Sequence, residues 1–105
     1  MFNLVRKETF KETVKLQVKT DNGWREETFV GIFKRVNQTR QQELTAVAFD
    51  EVLDEVLVDW EMKGMEGAVV EFTPEHLAAF KEIPGASRAA VMAYLAANVG
   101  SKEKN

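Results

Sequence analysis

From Phe10 to Thr20 the chain alternates. Phe10, Val14, Leu16 and Val18 fall on one face, interrupted by Glu12, while Lys11, Thr13, Lys15, Gln17 and Lys19 make the other wholly polar. That period of two predicts a half-buried strand. Asp21-Asn22-Gly23 follows, and Asn-Gly favours a type I′ hairpin turn because both residues tolerate positive φ. With Asn22-Gly23 as the loop, Lys19 faces Glu26, Val18 faces Glu27, Leu16 faces Phe29 and Val14 faces Gly31. Phe29 and Phe33 then share a face with Val14, Leu16 and Val18. A three-residue loop would turn both rings onto the lysine side, since a slip of one residue inverts every side chain. Val30 and Ile32 are left on the lysine side, where a helix, a further strand or a partner must cover them.

Past Val36 the pattern becomes helical. Thr39 and Gln42 have capping-box spacing. Leu44, Ala48, Val52 and Val56 recur at i+4, with Val47, Phe49, Leu53 and Leu57 beside them and Asp50, Glu51, Asp54 and Glu55 opposite. This predicts one amphipathic helix of about sixteen residues, roughly 24 Å long, with a solvated acidic face. Val58 to Met62 leads into a glycine-punctuated turn, Lys63-Gly64-Met65-Glu66-Gly67, and Ala68 to Phe72 reads as a short strand. Thr73-Pro74-Glu75 opens a helix that reaches Lys81: a hydroxyl cap, proline at the first helical position and an acid at the positive end of the dipole. Ile83-Pro84-Gly85 breaks it. A last, alanine-rich helix is expected from Ala86 to Asn98, stopped by Gly100, with residues 101–105 a frayed tail. The fold class is α+β: an N-terminal antiparallel β-hairpin or small sheet packed against about three C-terminal helices, a single domain over residues 1–100.

Composition narrows the function. Of 105 residues, 45% are hydrophobic, with seven Phe and two Trp, which suffices for one core, and 30% are charged. Cysteine is absent, which removes disulfides, thiolate metal sites and thiol nucleophiles. Charge interrupts Met1 to Glu8 too early for a signal peptide, and no apolar run approaches the roughly 20 residues that span a bilayer. These points favour a cytoplasmic protein without a membrane partner. A net charge of -3 argues against nucleic acid as the main partner. Phe33-Lys34-Arg35 could stack and pair with single strands, but the alternation assigns Phe33 to the core.

Catalytic chemistry is hard to assemble from these residues. His76 is the sole histidine and sits on the first turn of a helix. With no Cys, a metal would need a carboxylate cage, and the acids from Asp50 to Glu55 lie on a helix face, not in a loop. No pair of carboxylates is singled out for acid/base work. The glycines form no phosphate-cradling motif, and Ser87 and Ser101 lie in no nucleophile elbow. The expectation is a binding protein with no catalytic residue, no cofactor and no metal.

The ordered motifs resemble a known family. Phe2-x-Leu4, Thr9-Phe10-x-x-x-Val14-x-Leu16-x-Val18 and Thr28-Phe29-x-x-x-Phe33-Lys34-Arg35 are similar to the N-terminal half of siphophage (bacteriophage) tail assembly chaperones. Val56-Leu57-Val58-x-Trp60, Phe72-Thr73-Pro74-Glu75-x-Leu77 and Ile83-Pro84-Gly85 resemble that family's Trp-containing loop, helix start and Ile-Pro-Gly break. The likeness runs over nearly the whole chain. Glu8 and Asn22-Gly23 stand where members often carry a proline and a Pro-Gly turn. The resemblance implies a phage or prophage protein of the host bacterial cytoplasm, absent from the mature virion. It would bind the tape measure protein, keep it soluble while the tail tube protein polymerises around it, and then leave. It also implies a second, frameshifted length for many members, and Glu103-Lys104-Asn105 can be encoded by a slippery A-AAA-AAC run. The alternatives are a tail completion or connector protein that stays in the virion, a prophage-encoded adaptor, and an accessory of a hydrolase or nuclease.

A holder of amphipathic helices needs apolar surface rimmed by charge. The candidate partner-binding residues are Val30 and Ile32 on the lysine side of the hairpin, and Trp60, Met62 and Met65 around the loop. Trp60, directly after a helix, also fits a core anchor. The outward hairpin leaves edge-to-edge self-association into a homo-oligomer open.

Overall fold

The computed structural model describes residues 8–98, apart from the side chain of Met65. Residues 1–7 and the expected stop at Gly100 and tail over 101–105 lie outside the described residues. Strands β1 (Thr9–Thr20), β2 (Gly23–Lys34) and β3 (Leu57–Glu61) form one antiparallel sheet in the order β1-β2-β3. Helices α1 (Gln38–Leu44), α2 (Phe49–Val56), α3 (Pro74–Lys81) and α4 (Ala86–Asn98) complete an α+β fold.

The alternation of β1 holds, and Val14, Phe29 and Phe33 are buried on one face. The register differs by two residues from that of an Asn22-Gly23 loop. Thr20 pairs with Gly23, so the loop is Asp21-Asn22, and Val14 faces Phe29, Leu16 faces Glu27 and Glu12 faces Gly31. Neither loop residue has a positive φ; that conformation falls on Gly23, at +123°. The Thr20 hydroxyl closes the turn, accepting from the Asn22 N–H at 3.3 Å and donating to the Gly23 carbonyl at 3.1 Å. A shift of two preserves parity, so every side chain keeps its face although every partner changes.

The long amphipathic helix is two helices. Asn37, not Thr39, caps the first, its side-chain oxygen accepting from Arg40 N–H at 2.8 Å. Thr45 ends α1: its N–H and hydroxyl both reach the Gln42 carbonyl, at 3.2 and 2.6 Å. Ala48 is extended, and α2 restarts after it. Arg40 clamps the two pieces, with Nε and Nη2 donating to Glu55 at 2.9 and 2.5 Å and Nη1 to Glu43 at 2.9 Å. The guanidinium holds the Glu55 carboxyl below the usual carboxylate range. At Leu57 the chain passes straight from helix to β3. A bulge lets Ile32 pair with Asp59 and Phe33 with Leu57, so Val58 is skipped and points out. Leu57 and Trp60 both turn inward at a spacing of three, which reads as helical in sequence. Ala68 to Phe72 forms no strand; only a Lys63–Val69 bridge survives there. The boundaries of α3 and α4 agree with the sequence, and Thr73 caps α3 by accepting from His76 N–H at 3.0 Å.

Helix α4 packs across the inner sheet face. Tyr94 is buried, with ring centroids 5.8 Å from Phe10 and 5.2 Å from Phe33, and its hydroxyl donates to the Lys34 carbonyl at 3.0 Å. Asn98 closes the far end of α4. Its amide donates to the Val36 carbonyl and to Gln41 Oε1, at 3.2 and 2.7 Å, and its oxygen accepts from Val36 N–H. Gln41 in turn donates to the Leu95 carbonyl at 3.2 Å, so this buried polar cluster is satisfied. Burial, chiefly, and the charge of Glu55 push the Tyr94 phenol up to about 12. Because the folded value lies above the unfolded one of about 10, the native state holds this proton more tightly. Its stabilising contribution is therefore complete below about pH 10 and is lost as pH rises towards 12. Tyr94 is the single tyrosine, so ultraviolet difference absorbance reads it directly. Ionisation near 12 is expected in the folded protein and near 10 in urea; a native midpoint near 10 would contradict the burial argument.

Candidate protein-binding site

Strand β3 pairs with β2 only from Val30 to Phe33. Beyond that, the β1–β2 hairpin continues as a two-stranded arm, and Trp24 near its tip is 68% exposed. On the inner side, where the arm leaves the helices, lies a cleft of about 180 Å³ lined by Leu16, Glu27, Thr28, Phe29, Met62, Lys63, Gly64, Phe80 and Ile83. Each element supplies its part for a local reason. Alternation turns Leu16 and Phe29 inward. The C-terminal end of α3 carries Phe80, and the break before Pro84 leaves Ile83 42% exposed at the mouth.

The floor is aromatic. Phe29 meets Phe80 edge-to-face at 5.3 Å, and Trp60 lies behind both at 5.8 Å, edge-on to Phe72 at 4.9 Å. The wall is a hairpin-like flap from Met62 to Val70. Gly64 N–H donates to the Ala68 carbonyl at 2.7 Å, Val70 N–H to Met62 at 2.9 Å, and Trp60 Nε1 to the Val70 carbonyl at 2.8 Å. Glu66 at φ +59° and Gly67 at +77° make the reversal. His76 steadies the flap's exit, its Nδ1–H donating to the Glu71 carbonyl at 2.6 Å. The rim is charged by Glu27 and Lys63.

The residues expected at the interface are dispersed. Met62 lines the cleft and is half-buried. Trp60 is 5% exposed and belongs to the core beneath it, so its ring supports the site and offers no surface of its own. Met65 lies in a short 3-10 turn, and its side chain is outside the described residues. Val30 and Ile32 are half-buried on the opposite face of the sheet. There Lys11 pairs with Glu61 at 2.8 Å, from β1 to β3 across the intervening strand that carries them. The aliphatic lysine stem supplies cover of a kind that needs no helix. Leu16, Phe29, Phe80 and Ile83 were not marked by the sequence as site residues. The alternation and the Ile-Pro break locate them on faces, but not at the point where cover ends.

A second depression of about 360 Å³ lies between the start of α2 and the α3–α4 turn, on the other side of Ile83. Two of its charged groups are engaged: Ser87 donates to Asp50 at 2.5 Å, and Lys81 pairs with Asp54. Among the described residues no three His, Cys, Asp or Glu side chains gather as a metal site, and no helix is long and apolar enough to cross a membrane. No family model, no curated protein and no solved structure matches this chain.

Proposed function

We propose that the chain is a tail assembly chaperone of the siphophage kind, which binds amphipathic helical segments of a tape measure protein through the cleft beneath the arm. The observation that carries this reading is an apolar, aromatic-floored cleft with a charged rim, fed by an exposed isoleucine. At about 180 Å³ the cleft is smaller than the roughly 300 Å³ at which small-molecule pockets begin. It suits one large apolar side chain at a time. Burying such an anchor contributes about 1.5–3 kcal/mol, far short of the roughly 8 kcal/mol of a micromolar complex. A helix held through one anchor per chaperone is held weakly, which fits a holder that must release its client. The order of motifs shared with tail assembly chaperones supplies the identity of the client.

The test is co-expression with helical tape measure segments. Ile83→Asp alters an exposed side chain and should leave the melting temperature within a few degrees, because surface changes are usually worth about 0.5 kcal/mol or less. The soluble yield of the client should fall at least tenfold. If Ile83→Asp and Leu16→Asp both hold the client as well as the parent does, the cleft is not the site. Detection of the chain in purified virions would instead favour a connector or completion protein.

A further inference from the structure

Strand β1 is an edge strand for all twelve residues, and among the described residues no strand pairs with its outer side. The hairpin fixes which backbone groups face outward. Thr20 and Gly23 close a two-residue loop, and hydrogen-bonded pairs then recur at every second position. The Arg35 N–H that donates to the Glu8 carbonyl at 2.8 Å keeps the same phase. Even-numbered residues of β1 thus bond to β2, while Lys11, Thr13, Lys15, Gln17 and Lys19 turn their N–H and C=O groups to the open edge. The same residues project their side chains from the outer face. Lys11 pairs with Glu61, and Lys19 lies 5.7 Å over the Trp24 ring. Lys15 has no ion pair among the described residues. On the inner face of the arm, Leu16 and Val18 are only half-buried.

We propose that this edge accepts an extended acidic segment of another protein as a fourth, antiparallel strand. Backbone pairing would supply affinity and alternate side chains specificity. Residues set beside Lys11, Lys15 and Lys19 would be Asp or Glu, since opposite charges on neighbouring strands attract. The intervening residues would be apolar and lie against Leu16 and Val18. The same lysines disfavour a second copy of this chain, whose own lysine row would come alongside. The edge is thereby guarded against itself and open to an acid. This site shares Leu16 with the cleft but lies along the strand edge, and it does not rest on the chaperone reading.

A labelled peptide of alternating glutamate and valine, as long as β1, titrated into the full chain should give saturable fluorescence anisotropy in the micromolar range. Binding should slow amide exchange at Lys11, Lys15 and Lys19. Lys15→Glu combined with Lys19→Glu, at exposed positions that leave folding intact by circular dichroism, should weaken binding at least tenfold. An alternating lysine and valine peptide should then bind that variant in its place. Ile83→Asp should bind the acidic peptide as the parent does, which keeps this result apart from the fate of the cleft. The proposal is overturned if no peptide saturates below millimolar, or if a peptide of the same composition with its acids in one block binds equally well.

Discussion

Trp60→Ala should destabilise the folded state by about 3–5 kcal/mol, the range for removing a large buried aromatic. Trp60 is 5% exposed and touches Phe29, Phe72 and Phe80. Its truncation leaves a void where three rings met, and it frees the Val70 carbonyl from the indole N–H. Against a total of about 5–15 kcal/mol for a domain, such a loss removes at least about a fifth of the stability and lowers the urea midpoint in the same proportion. Trp60→Phe separates the two contributions. It keeps a ring in the cluster, loses the hydrogen bond and should cost about 1–2 kcal/mol, felt mainly as faster amide exchange in the Met62–Val70 flap. A Trp60→Ala variant with the parent's midpoint would mean that the ring is not part of the core.

Gly31→Ala should also destabilise, by about 1–3 kcal/mol, although the general rule has the opposite sign. Glycine inside a strand is normally the weaker residue, and its replacement by alanine commonly stabilises by about 0.4–1 kcal/mol through the unfolded chain. Here a Cβ would stand 2.6 Å from Phe33 Cε2 and 2.8 Å from Cζ, with Leu57 Cδ1 at 3.4 Å. Phe33 is fully buried against Phe10 and Tyr94, so its ring has nowhere to retreat. The cause can be isolated. In a double-mutant cycle with Phe33→Leu, the Gly31→Ala penalty should shrink by more than 1 kcal/mol, since neighbours that clash do not add. A stabilising Gly31→Ala would show that the ring yields easily.

Both predictions depend on contacts that the chain pattern does not state. Glu12 gives a smaller example. It interrupts the apolar face of β1, and the register places it opposite Gly31, which brings no side chain of its own to the pair. Helix α2 and strand β3 give a larger one. Leu57 and Trp60 look helical because Val58 is bulged out of the ladder, and a bulge is set by the partner strand, not by its own residues. The helix break at Thr45 is similar: the hydroxyl competes for the Gln42 carbonyl, a local option that wins here because Arg40 fastens α1 to α2 across the gap.

What the sequence determined by itself was local. The period of two on β1, the Thr73-Pro74 start of α3, the Pro84 break and the span of α4 all follow from steric and hydrogen-bonding rules acting within a few residues. The parity of the hairpin was also legible, because it depends only on whether the loop is odd or even. Tertiary structure decided where cover stops. The third strand ends at Val30 on β2 and the arm runs on, so Leu16 and Phe29 meet a cleft while Val14, on the same face, is sealed. Trp60 became a core residue, and Ile83 a mouth residue, for the same reason: burial is a sum over the neighbours that happen to arrive, and those neighbours come from distant parts of the chain.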